Sequence, residues 1–232
     1  MVAGISTTIS GTLISHARNM YFQSLESYFQ EISFTEITNI DTHLSLPAFI
    51  TSVASIEAWL NEVFLNKLSK SLLKDSSLWI FSNNWIEKVE LGNKILLIPQ
   101  LLFNKTLNKR SHPYQDMAML IKVRNEIVHY KMSPTPPKFV NEFRNRGISP
   151  APIKHEGKVL CGPWIYDITT SEAIRWAHNT VCATVEELIS LIPEDVKQRL
   201  PLLKQSSAFK AISTEEVYKW FSDRNIKVNS KK

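Results

Sequence analysis

The sequence predicts an all-α fold: an antiparallel helical bundle with a Pro-rich excursion and additional C-terminal helices. Three observations predict it. Long segments repeat their apolar residues at helical spacing rather than in strand-like alternation. Six Gly stand against six Trp, eleven Phe and six Tyr, a balance suited to packed helices more than to many tight turns. Six of the eleven prolines fall within residues 132–168, so the rest of the chain is free to run in long regular elements.

A first helix is expected over 12–31, with Leu13, Ala17, Leu25, Tyr28 and Phe29 apolar, ended by the Thr/Asn/Asp-rich run 35–45. The second, from about Pro47 to Leu73, is the longest, and Pro47 suits its first turn, where a missing N–H costs nothing. Its apolar face is Phe49, Val53, Ile56, Leu60, Val63 and Phe64, with Glu57 inside the arc, Asn61 at its edge and Glu62 on the polar side. A third helical region covers 83–107, interrupted near Gly92 and Pro99, and a fourth runs from about Pro113 to Lys131. The Pro-rich stretch 132–168 has room for a short helix near 138–146 and a short extended pair around 157–167. Thr169-x-x-Glu172 reads as a capping box opening a helix to about Leu191, and Ser213-x-x-Glu216 opens a last one to about Asp223. Residues 1–192 are therefore expected to form the bundle domain, and residues 193–232 a basic helical appendage.

Composition narrows the function classes. Hydrophobic residues at 44% and charged residues at 21% are ordinary globular values. No window approaches the ~20 apolar residues of a membrane span, and the first twenty residues do not read as a secretory signal, so a cytoplasmic protein without membrane contact is expected. Cys161 and Cys182 form no Cys-x-x-Cys pair and are expected to be buried, reduced thiols. His16, His43, His112, His155 and His178 share no metal-like spacing, so no metal and no cofactor is expected. Trp59 and Trp176 fall on or beside apolar faces and are expected in the core. Gly-rich phosphate loops, nucleophile elbows and His-Glu-x-x-His motifs are all missing from the sequence. The net charge of +5 is unevenly spread: residues 101–160 hold eleven Lys/Arg against four Asp/Glu. A local excess of that size suits a polyanionic partner, as it also suits a solvated surface.

That basic block surrounds the fourth helix, on which Met117, Leu120, Ile121, Ile127 and Val128 cluster on one side with Arg124 in the middle of their arc. A guanidinium facing a core needs an acceptor because it does not deprotonate, and Glu57 of the second helix is the expected partner. Asn125 and His129, four residues apart, lie one above the other on the flank of that face. An imidazole titrates near neutrality and suits proton transfer, and an arginine suits a phosphate. Without further context, the two flank residues read first as surface groups near a helix end, and Arg124–Glu57 reads equally as an ion pair that sets helix register.

The segment Leu120-Ile-Lys-Val-Arg124-Asn125-Glu-Ile-Val-His129-Tyr-Lys resembles the signature helix of the HEPN superfamily, where an Arg is followed by a polar residue and, after a short gap, by His. Arg-Asn occurs at 18, 124, 144 and 224, but only the copy at 124 has a His five residues after the Arg within a strong helical pattern. The run Ser55-Ile-Glu57-Ala-Trp-Leu-Asn61-Glu62 is more loosely similar to the Glu- and Asn-bearing helix of such proteins, and the resemblance spans about residues 12–131. It implies a bundle that often dimerises, bringing two Arg/His motifs into one cleft that in many members cleaves RNA without a metal ion. Other members act as toxins, antiphage-defence factors or noncatalytic companions of nucleotidyltransferases. The implied catalytic set is Arg124, Asn125, His129 and Glu57, with RNA as substrate and a homodimer as the working unit. A noncatalytic dimerisation or binding module assisting a partner protein is the alternative, and binding of nucleotides or of a partner's modified Tyr is a third.

Overall fold

The protein is an all-α helical bundle. The computed structural model describes the backbone of residues 8–31, 42–63, 88–130, 136–149, 154–155, 158–159, 164–198, 207–224 and 226. Its elements are α1 (Ile9–Glu31), α2 (Thr42–Trp59), α3 (Leu91–Phe103), α4 (His112–Val128) and α5 (Lys138–Asn145). A two-residue hairpin follows, β1 (Lys154–His155) paired antiparallel with β2 (Lys158–Val159), then a 3₁₀ turn at Trp164–Ile168. The chain continues through α6 (Ser171–Leu191), α7 (Glu194–Gln198) and α8 (Thr214–Asp223).

Polar contacts between elements set the helix directions. Glu62, in a single π turn that extends α2, accepts from the Ile9 and Ser10 amides at 3.0 and 3.4 Å and from Ser10 Oγ at 2.5 Å. The end of α2 thus meets the start of α1, and the pair is antiparallel. Glu62, expected on a solvated face, instead satisfies amide donors that a helix start leaves free. Between α4 and α6, Ser111 Oγ approaches Glu187 at 3.4 Å, and Thr184 Oγ1 donates to the Pro113 carbonyl at 3.4 Å. As α4 advances α6 recedes, so this pair is antiparallel too. The main core gathers Phe49, Val53, Ile56 and Leu60 from α2, Leu91, Ile95 and Ile98 from α3, Met117, Leu120 and Val123 from α4, and Val181, Val185 and Leu188 from α6. Trp59 is buried there, and half-buried Trp176 packs edge-on against Phe143 with centroids 4.7 Å apart.

Several boundaries differ from expectation for local reasons. Helix α2 begins at Thr42, which places Pro47 inside it, where its ring lacks the N–H that would reach back one turn. Residues 64–73, expected to continue that helix, lie outside the described residues, as do 83–87 of the expected third helix. The N-cap of α6 is Thr170, whose Oγ1 accepts from the Ala173 amide at 3.1 Å; Thr169 Oγ1 instead donates to the Tyr166 carbonyl, one residue out of the expected register. The extended pair falls at 154–159, and residues 164–168 of its expected range form the 3₁₀ turn. Ser213 caps α8 as expected, accepting from the Glu216 amide at 3.1 Å.

The C-terminal segment, expected as an appendage, is docked on the bundle. Ile212 and Phe221 are buried with Tyr21, Leu25, Ala48 and Ile174 in a second apolar cluster. Asn179 holds the Ile212 backbone at both ends: its amide donates to the carbonyl at 3.1 Å and its oxygen accepts from the amide at 2.7 Å. Arg18 ion-pairs with Glu216 and donates to the Lys210 carbonyl at 3.0 Å. Buried His178 holds that same carbonyl through Nε2 at 3.0 Å.

Candidate functional site

Helix α4 carries the Arg124, Asn125 and His129 signature. Its buried side chains run from Asp116 to Val123 and stop there, one turn before the helix ends. Arg124, Asn125 and Ile127 are half-buried, and Val128 and His129 are exposed. Arg124 thus lies beyond the last buried residue of α4 and is half-buried rather than enclosed by the core. His129 is the C-cap, and its amide donates to the Asn125 carbonyl at 2.9 Å. That bond closes one helical turn between the two residues and places their Cβ atoms ~5–6 Å apart.

The expected ion pair between Arg124 and Glu57 does not form. Glu57 Oε1 accepts from Lys94 Nζ of α3 at 3.3 Å; the Lys94 side chain is only 2% exposed, against 40% for Glu57. The partly exposed Glu57 carboxylate of α2 thus serves a buried lysine, which takes its acceptor from the neighbouring helix. Sequence reasoning missed Lys94 because a single lysine among apolar residues reads as a solvated side chain. Its position between Leu91, Ile95 and Ile98 on the buried face is the signal that could have found it. Among the described residues neither the Arg124 guanidinium nor the Asn125 amide has a hydrogen bond or an ion pair.

Two other polar clusters have different characters. A cleft of about 390 Å³ near the start of α4 is lined by His112, Asp116, Arg146, Arg175, Trp176 and Asn179. Its charges are already matched: buried Asp116 takes Arg146 at 2.5 Å and His112 Nδ1 at 2.8 Å, and Arg146 also reaches Glu142 at 2.5 Å. The Asp116 hydrogen bond pushes the Arg146 pKa up, so this guanidinium is committed to the fold. In α6, Cys182 Sγ lies 3.5 Å from His178 Nε2, and both residues are buried. Burial pushes the thiol up to about 12 and the imidazole down to about 4, which leaves both neutral near pH 7 and the thiol unreactive. Cys161 lies outside the described residues. Among the described residues no group of three or more His, Cys, Asp or Glu side chains is placed to hold a metal ion, and no helix is long and apolar enough to cross a membrane.

No family model, curated protein or solved structure matches the chain.

Proposed function

We propose that the protein is a metal-independent endoribonuclease of the HEPN type that works as a homodimer, with Arg124, Asn125 and His129 as its catalytic groups. The observation that carries this reading is the end of α4: an exposed imidazole, a carboxamide one turn behind it and a half-buried arginine with no acceptor among the described residues. An arginine engaged by the fold, like Arg146, has its donors spent. Among the described residues Arg124 is not so engaged, which leaves its donors available to a phosphate.

RNA supplies its own nucleophile in the 2′-OH. His129 takes that proton as the 2′ oxygen attacks the adjacent phosphorus, and Arg124 stabilises the charge gathering on the phosphoryl oxygens. Asn125 orients the phosphate or the imidazole. The P–O5′ bond breaks, a proton is delivered to the leaving 5′ oxygen, and the products are a 2′,3′-cyclic phosphate and a 5′-OH. The Lys94 pairing removes the basis for giving Glu57 a part in holding Arg124.

A second reading has an observation of its own. Val128 is 52% exposed and Tyr130 40% exposed beside His129, an apolar edge suited to contact with another chain. That edge serves the dimer of the enzyme reading and also a noncatalytic dimerisation or binding module. Incubation of purified protein with cellular RNA in EDTA separates the two. Cleavage to cyclic-phosphate ends, reduced at least 100-fold in His129→Ala and in Arg124→Ala, is the expected result; intact RNA in every lane leaves the binding module as the function.

A further inference from the structure

The loop between α3 and α4 presents Lys105, Lys109 and Arg110, all exposed and none ion-paired among the described residues. It is a held loop. Asn104 adopts the left-handed conformation at φ 53 that ends α3, donating its amide to the Gln100 carbonyl and accepting from Gln100 Nε2 at 2.7 Å. Thr106 Oγ1 donates to the Leu96 carbonyl at 3.2 Å, and Leu107, 2% exposed, plugs the loop into the core. The Asn108 side chain accepts from the Arg110 amide at 2.9 Å, and the Asn108 carbonyl accepts from the Ser111 amide at 2.9 Å and from its hydroxyl at 2.7 Å. Three exposed cations thus stand on a loop held by local hydrogen bonds and by buried Leu107.

From this loop a solvent-facing stripe runs the length of α4. Ser111, Gln115, Ala118, Lys122, Asn125 and His129 follow one another at spacings of three and four, so they share one face. None of the six is buried. Lys122 adds a cation midway; Glu126 is exposed at the edge of the stripe, and half-buried Glu187 lies beside Ser111. With 17 residues at ~1.5 Å each, α4 separates the loop from His129 by roughly 25 Å.

We infer that the 104–111 loop is a second anchor for single-stranded RNA, joined by the exposed stripe of α4 to the Arg124, Asn125 and His129 end. The inference rests on the ribonuclease reading for its choice of polyanion. At ~3.4 Å per nucleotide of a stacked strand, about seven nucleotides bridge the two ends. The loop binds sugar–phosphate backbone without reading sequence, since lysine and arginine supply charge there and the described loop offers no aromatic platform.

Binding to 2′-O-methyl RNA, which has no attacking hydroxyl, tests the anchor separately from cleavage. The full chain with Lys105→Ser, Lys109→Ser and Arg110→Ser is compared with a control that loses three exposed lysines elsewhere, Lys88→Ser, Lys210→Ser and Lys219→Ser. For a 20-mer, the loop variant is expected to bind at least tenfold more weakly than the control, with the slope of log affinity against log salt reduced by about 2, or ~0.7 for each lost phosphate contact. For a 4-mer, too short to bridge α4, the two variants are expected to agree within twofold. Equal affinities for the 20-mer overturn the anchor even if the protein cleaves RNA, and an anchor found in a protein that cleaves nothing leaves the loop assigned while removing the ribonuclease. Polyglutamate competing as well as the 20-mer overturns RNA as the occupant and points to an acidic protein segment.

Discussion

His178 and Lys94 are polar side chains at buried positions, and they met burial in opposite ways. His178 sheds its charge: burial is the largest influence on its pKa, and its Nδ1 is buried without a hydrogen-bond partner. Its pKa falls from 6.5 to about 4, so between those values the unfolded chain holds the extra proton. The stability contributed by the neutral ring is present in full above about pH 6.5 and is lost as pH falls toward about 4, by roughly 3 kcal/mol. Urea titrations from pH 7 to 4 should show that loss, and His178→Gln should flatten it; an unchanged pH slope in the variant would place the acid sensitivity elsewhere. Lys94 instead keeps a carboxylate. Glu57→Gln should cost about 1–2 kcal/mol, less than the ~3–5 of a fully buried pair because Glu57 is partly solvated, and Lys94→Met should be neutral or stabilising. Greater destabilisation by Lys94→Met than by Glu57→Gln, measured by chemical denaturation, would show that the lysine does more than answer that one carboxylate. The place of Glu57 within the apolar arc of α2 was legible in the sequence, but neither its partial exposure nor its partner was. Wheel angles say which way a side chain points, whereas partner choice depends on which neighbouring helix comes near.

At the scale of elements, spacing located α1, α4, α6 and α8 to within a few residues, because each has apolar periodicity and a stop or a cap. The shift of the α6 cap from Thr169 to Thr170 shows the limit of such signals: adjacent threonines offer the same hydroxyl, and packing decides between them. The docking of the segment 207–224 was not legible at all. Its charge suggested an appendage, yet beside the buried Ile212 and Phe221 its hold on the bundle includes contacts of its backbone with Asn179, Arg175, His178 and Arg18 that no pattern within the segment announces. Asn179→Ala leaves the Ile212 amide without its acceptor, while the Ile212 carbonyl keeps Arg175 Nε at 3.2 Å, and should cost about 1–2 kcal/mol. The loss should be local first. Hydrogen exchange is expected to quicken across 212–224 before it quickens in α4 or α6, and a uniform change would show that the segment and the bundle open as one unit.

At the scale of the whole molecule, the proposed ribonuclease turns on how two copies of the chain would meet. Each α4 carries one His129, and proton removal from the 2′-OH and delivery to the 5′ oxygen occur on opposite sides of the reacting phosphorus. Two imidazoles in a shared cleft divide these tasks, whereas a single one must perform them in turn. The end of α4 is suited to such a cleft: His129 and Val128 are exposed and Arg124 is unengaged among the described residues. If the cleft is composite, a heterodimer of Arg124→Ala and His129→Ala chains still holds one intact arginine and one intact histidine, and mixing the two inactive homodimers is expected to restore a measurable fraction of cleavage after subunit exchange. If each chain works alone, every chain in the mixture lacks one essential group and no activity returns. The restored activity should also fall steeply with salt, because backbone phosphates supply much of the binding. Sedimentation of the wild-type protein as a monomer at micromolar concentration, or no recovery in a mixture shown to have exchanged subunits, would remove the composite cleft and leave any cleavage to a single His129.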